Sequence, residues 1–195
     1  KSTLLGACLL EAGHFTQKKI EEVRDMAINR YGRSSFFHAY LVTDIRQELD
    51  RGITIGARYF YRTIGGTDYT FIDTPGHRDF FKSAYGGMTQ ADVIVFVCTA
   101  KMLMQPPGEN YQESHLGKLI QAAVFRQPMK LVFAVSGLDT LYPWALEPST
   151  DDYQATFLQC QEYILHHFKR FAGGDPDSVD LDVEFVPVGP RLEDT

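Results

Sequence analysis

Short blocks of β-branched and aromatic residues alternate along this chain with longer stretches in which apolar residues recur every three or four positions. The blocks predict strands at Ile53–Thr63, Tyr69–Asp73, Asp92–Ala100, Met129–Ser136 and Val183–Val188, because such residues fit a pleated, half-buried surface. The periodic stretches predict helices at Ser2–Glu11, Lys18–Tyr31, Phe36–Leu49, His77–Gly86, Tyr111–Arg126 and Tyr153–Phe171. Strands alternating with helices in this way build a mostly parallel sheet covered on both faces, the doubly wound α/β class. Gly65-Gly66, between the first two strand blocks, suits a two-residue hairpin turn and makes one edge strand antiparallel. Pro143 and Pro148 mark the stretch from Leu141 to Thr150 as a surface loop. No repeat, low-complexity tract or long linker interrupts the pattern, so residues 1–195 read as a single domain.

Composition narrows the class. At 195 residues, 44% hydrophobic and with a mean hydropathy of -0.20, the chain can bury a core without disulfide or metal staples. The longest apolar runs, such as Val93–Val97 and Leu131–Val135, are far too short to span a bilayer, and no basic-then-apolar leader opens the chain. A soluble protein with no membrane partner is expected. Cys8, Cys98 and Cys160 are far apart and lie in apolar segments, with neither a disulfide framework nor metal-ligand spacing; that usage predicts a reducing, cytoplasmic setting. The net charge of -6 is uneven, with 10 Lys/Arg against 7 Asp/Glu in residues 1–62 and 9 against 18 in the rest. An acidic chain of this kind does not bind nucleic acid through bulk electrostatics, so any RNA contact must be local or made outside it.

Three short stretches carry chemistry. Lys1-Ser2-Thr3 has the form of the end of a phosphate-binding loop, G-x-x-x-x-G-K-[ST], running into a helix. In such a loop the lysine neutralises the β- and γ-phosphates, the hydroxyl ligates magnesium and the helix points its first amides at the anion. The same tripeptide serves equally as a plain helix start with Ser2 as N-cap. Asp73-Thr74-Pro75-Gly76-His77 follows a buried run, which puts Asp73 at the carboxyl end of a parallel strand, where open α/β sheets hold ligands. A carboxylate there can hold a magnesium shell, and Gly76 lets backbone approach a phosphate; an ordinary turn would read the same way. Arg51-Gly52-Ile53-Thr54-Ile55 precedes the first strand block and reads alone as a turn glycine opening a strand.

Together, Asp73–Phe80 (DTPGHRDF), Gln90-Ala91-Asp92 before an apolar strand, and Arg51–Ile55 (RGITI) resemble the elongation factor 1-alpha family of translational GTPases. The two charged helices between Lys1 and Arg51 and the Gln112–His115 segment look like that family too. The resemblance covers essentially the whole chain as a P-loop NTPase G domain. It implies magnesium-dependent binding of GTP and GDP, GTP hydrolysis, and delivery of aminoacyl-tRNA to the ribosome by the full-length protein, with a guanine-nucleotide exchange factor as a further partner. The His-Arg pair after Gly76 is shared with termination and ribosome-rescue relatives, whereas RGITI favours the elongation factors.

By that resemblance, Lys1 contacts the phosphates, Thr3 lies beside the α-phosphate, and Ser2, Thr54 and Asp73 hold magnesium, Asp73 through a bound water. Gly76 senses the γ-phosphate, His77 places the attacking water as the catalytic residue, and Ile53 shields it as a hydrophobic gate. Asp139 accepts from the guanine ring. As the family's fold goes, the chain opens inside the loop motif, so its first strand and most of its phosphate loop are expected to be missing. The base-reading Asn-Lys-x-Asp appears as Ser136-Gly137-Leu138-Asp139, and the later Ser-Gly or Ser-Ala turn as Gly189-Pro190-Arg191. Serine is too short to replace the asparagine amide, and a proline has no amide to give. One unmade hydrogen bond in a dry pocket costs about 1–3 kcal/mol. A second reading follows from those losses: a degenerate, nucleotide-poor G domain acting as an interaction module. His166-His167 reads as helix packing plus a solvated ring, and Lys18–Glu22 as a solvated helical face.

Overall fold

In the computed structural model, residues 1–30, 32, 34–43, 54–103, 115–138, 150–171 and 182–189 are described. Arg51, Gly52, Ile53, Gln112, Asp139, Pro190, Arg191 and the loop from Leu141 lie outside them. The described chain forms two compact units, Lys1–Gly87 and Met88–Gly189.

In the first unit, helix α1 (Ser2–Glu11) matches its predicted span. Helix α2 (Gln17–Asp25) starts behind Thr16, whose side chain accepts from the Lys19 amide at 3.3 Å, and runs on into a π-helical turn over Met26–Arg30. The helix predicted from Phe36 to Leu49 is a 3₁₀ turn (Ser34–Phe36) followed by the short helix α3 (Phe37–Leu41); Val42 and Thr43 leave it, and 44–49 fall outside the described residues. Val23, Ala27, Tyr40 and Leu41 are buried together, with Leu10, Phe15, Ile20, Met26 and Phe37 packed on them, so three helices share one small core.

Strands β1 (Arg58–Ile64) and β2 (Thr67–Asp73) form an antiparallel hairpin. Its turn residues, Gly65 and Gly66, have φ of 58° and 83°, left-handed values that glycine adopts without a Cβ clash. The first strand block begins later than predicted. Arg58 pairs with Asp73, the last residue of β2, so Thr54–Ala57 precede the β1–β2 ladder and lie outside the strand. Asp73 does close its strand, but its described ladder is antiparallel, because a two-residue turn forces that direction. The helix predicted from His77 opens instead as a 3₁₀ turn, Arg78–Phe80, before helix α4 (Phe81–Met88).

In the second unit, β3 (Val93–Thr99), β4 (Lys130–Ser136) and β5 (Asp182–Val188) form a parallel sheet in that order. Register puts Phe96, Phe133 and Phe185 side by side, and their rings stack at 5.3 and 5.4 Å. Parallel strands need helical crossovers. These are α5 (Ala100–Leu103) with α6 (His115–Arg126), and then α7 (Thr150–Phe171). Ile120, Ala123, Cys160, Ile164 and Phe168 bury themselves against Ile94, Phe96, Cys98, Leu131, Phe133 and Val135. Helix α5 was not foreseen: at four residues it is too short to show a period. On the opposite face Val93 and Val95 remain about half exposed, and Lys130 Nζ pairs with Asp182 and Glu184 at 3.3 and 2.6 Å.

Helix α6 ends on Gln127, whose amide bonds back to the Ala123 and Val124 carbonyls with φ of 51°. That left-handed C-terminal position is where glycine is preferred, because a Cβ is crowded there. Gln127→Gly is therefore expected to stabilise the protein by about 0.5–1 kcal/mol, with thermal unfolding about 2 °C higher. A lowered midpoint in calorimetry contradicts this.

Candidate functional site

The site is assembled around the first turn of α1. Lys1 occupies the N-cap position without a side-chain cap bond, and Leu5 donates its amide to the Lys1 carbonyl at 3.0 Å. Ser2 is therefore not the N-cap of its own helix. Its hydroxyl donates instead to Asp73 Oδ2 at 2.7 Å and lies 3.1 Å from Thr54 Oγ1. A serine hydroxyl carries one proton, and here it goes to the carboxylate, so Thr54 is the donor in the second contact. Residues 52 and 71 positions away from Ser2 thus converge on one oxygen.

Asp73 is only 5% exposed, at the C-terminal end of β2. Lys1 Nζ rests against Gly76, in the space a side chain there would fill. Burial pulls the Lys1 ammonium below the ordinary lysine range, and the nearby Asp73 charge pushes it partly back. An ammonium held this way gains from an anion placed beside it.

His77 opens the 3₁₀ turn, its Nδ1 accepting from the Asp79 amide at 3.3 Å and lying 3.5 Å from Asp79 Oδ2. Its side chain is 49% exposed. Lys1, Ser2, Thr3, Thr54, Gly76 and His77 line one cleft of about 370 Å³. The rest of the lining is Phe36, Ala39, Tyr40 and Thr43, which the sequence pattern did not single out. Phe36 and Tyr40 are spaced i, i+4, a pattern that an ordinary core helix shares.

Two hydroxyls and a buried carboxylate make a hard-oxygen donor set, and the donor chemistry fits magnesium. Among the described residues, no group of three or more His, Cys, Asp or Glu is arranged to hold a metal ion. Cys98 packs in the core, where burial and then its neighbour Cys160 push the thiol up to about 12.

In the second unit, Ser136 closes β4 and donates its hydroxyl to the Cys98 carbonyl at 3.1 Å, so its side chain ties β4 to β3. Gly137 follows with φ of 71°. Asp139 and Ile53 lie outside the described residues, as does the Pro190 that follows Gly189. No described helix is long and apolar enough to cross a membrane.

The profile described as the elongation factor Tu GTP binding domain matches residues 1–188. Elongation factor 1-alpha of Aeropyrum pernix is 29% identical over 188 residues, covering 96% of this chain and 40% of that protein. The Staphylothermus marinus elongation factor 1-alpha is 34% identical over 194 residues, with the same coverage. The chain thus spans about 40% of the length of these relatives. Among solved structures, the GTPase-like domain of S. cerevisiae Ski7, bound to GDP and inorganic phosphate, superposes with a TM-score of 0.75 at 16% identity, covering 97% of this chain and 40% of that one. A bacterial selenocysteine-specific elongation factor gives 0.51 at 15% identity over 75% of this chain and 21% of its own. These likenesses fix the fold as an α/β P-loop GTPase G domain. With its profile match running from Lys1 to Val188, the chain belongs to the elongation factor Tu GTP-binding domain family of translational GTPases.

Proposed function

We propose that this chain is a single G domain that binds GTP and GDP with magnesium and hydrolyses GTP. The observation that supports this most is the meeting of Ser2, Thr54 and Asp73 on one hydroxyl, with Lys1 Nζ against Gly76 at the same cleft. Lys1 would neutralise the terminal phosphates, the amides of α1's first turn would face them, and Thr3 would lie beside the α-phosphate. Ser2, Thr54 and Asp73 would hold magnesium, which supplies charge neutralisation on the phosphate oxygens. Gly76 leaves backbone free to face the γ-phosphate.

His77 fits the role of a water-positioning group. With Nδ1 accepting the Asp79 amide, a neutral ring keeps its proton on Nε2, so it orients a water by donation. Phosphoryl transfer needs positioning and charge stabilisation more than covalent chemistry, which suits such a residue. Ile53 as gate and Asp139 as guanine acceptor complete the proposal. For the full-length protein we propose delivery of aminoacyl-tRNA to the ribosome in the cytoplasm, with an exchange factor recycling GDP.

The test is titration of the full chain with fluorescent GDP. Saturable, magnesium-dependent binding displaced by GTP and not by ATP is expected; no saturation at millimolar nucleotide would overturn the reading. The interaction-module alternative is favoured by Ser136, whose hydroxyl is spent on the Cys98 carbonyl. Failure of the titration selects it.

A further inference from the structure

Besides Thr54, Gly76 and His77, the cleft is lined by the N-terminal turn of α1 and by the short segment carrying Phe36, Ala39, Tyr40 and Thr43. A five-residue helix such as α3 is not stable by its own hydrogen bonds, so its place must be imposed from outside. Part of that comes from α1, where Gly6 lies directly on the His38 carbonyl with no room for a Cβ. The other end of α3 is gripped from the hairpin: the Arg58 guanidinium donates through Nη1 to the carbonyl of Val42, the C-cap of α3. A cation on a helix C-cap meets both an unpaired carbonyl and the negative end of the helix.

Arg58 is also the residue paired with Asp73 across the β1–β2 ladder. One rung of the hairpin therefore carries Asp73, the carboxylate that accepts the Ser2 proton, on one strand and the grip on the Val42 carbonyl on the other. Two and four residues along the same face of β1, Phe60 meets the His14 ring at 6.1 Å, and Arg62 donates Nε and Nη2 to the Ala12 carbonyl at 3.2 and 2.8 Å. Ala12 is the C-cap of α1, at the end remote from Ser2. The same device thus acts at both helices, but Arg62 acts at the end of α1 remote from the cleft, whereas Arg58 acts at Val42, beside the lining residues Tyr40 and Thr43.

We propose that Arg58 is a positioning residue for the nucleotide: through the Val42 carbonyl it holds the Tyr40–Thr43 wall in register with Ser2, Thr54 and Asp73. The proposal rests on the nucleotide reading of the cleft. Arg58 is not among the residues lining the cleft, so its loss is expected to act on binding.

Three variants of the full chain decide it: Arg58→Ala, Arg58→Lys and, as a purely structural comparison, Arg62→Ala. Arg58→Ala should weaken magnesium-dependent GDP and GTP binding about tenfold, as losses of supporting contacts do, and leave kcat within about twofold. Arg58→Lys, which keeps a cationic donor, should restore most of the affinity. Arg62→Ala should lower the unfolding midpoint and leave affinity unchanged. In parallel, hydrogen exchange at the Val42 and Thr43 amides, which bond the Ala39 and Tyr40 carbonyls, should accelerate in Arg58→Ala and not in Arg62→Ala. Equal affinity losses in the two alanine variants, or unchanged exchange at Val42 and Thr43, overturns the proposal. Absence of binding by the unsubstituted chain instead sinks the nucleotide reading, and the exchange comparison then still decides whether Arg58 holds α3.

Discussion

Asp73→Ala should weaken magnesium-supported guanine-nucleotide binding by at least about 100-fold. Charge-assisted hydrogen bonds are worth about 1.5–3 kcal/mol each, and leaving a buried polar group unpaired adds to the loss. Asp73 acts in two ways at the site. It takes the Ser2 proton at 2.7 Å, which orients the hydroxyl and makes Thr54 its donor. Its charge also opposes the burial that depresses the Lys1 ammonium. Without the carboxylate, Ser2 loses its orientation and the pull of burial on Lys1 is no longer offset. Asp73→Asn keeps an acceptor for Ser2 but removes the charge, so it should retain the fold while still losing most of the magnesium dependence. Titration with labelled GDP at fixed and zero magnesium measures both. Affinity within threefold of the parent chain for Asp73→Ala would show that the carboxylate serves only the fold.

The readability of this site from sequence was uneven, for definite reasons. Asp73, Gly76, Ser2 and Thr54 belong to short runs that were legible in order along the sequence, and the structure brings Ser2, Thr54 and Asp73 together. The Gly65-Gly66 turn was equally plain, since glycine adopts two successive left-handed residues without a Cβ clash. The Phe96, Phe133 and Phe185 stack follows from strands that align residue for residue once pairing is parallel. What did not read out has partners of another kind. Arg58 and Arg62 bind backbone carbonyls at helix ends, and a carbonyl carries no residue identity for a pattern to reveal. The α3 wall was hidden because Phe36 and Tyr40 have the spacing of any buried helix. Strand β1 was placed too early because Thr54 and Ile55 favour β geometry, whereas the ladder stops where β2 stops, at Asp73.

His77→Ala should lower kcat for GTP hydrolysis by about 100-fold or more, the range for losing one positioned proton-handling group, while the affinity for GTP stays within about threefold. The separation follows from where the ring sits. Its Nδ1 is committed to the Asp79 amide at the start of the 3₁₀ turn, and the side chain remains half exposed at the cleft's rim. It is therefore expected to contribute little to holding phosphate, a task the proposal assigns to Lys1 and the first turn of α1. A ring fixed through Nδ1 keeps Nε2–H as its free donor, so the property that matters is a directed N–H. His77→Gln retains an amide donor of similar reach and should recover part of the rate, whereas His77→Phe, of similar size with no donor, should match alanine. Single-turnover hydrolysis with saturating GTP and magnesium isolates the chemical step from binding. Should His77→Phe hydrolyse as fast as the parent chain, or should all three variants lose affinity and rate together, the histidine would be a cap for the turn at Arg78 and the water would be held by other groups.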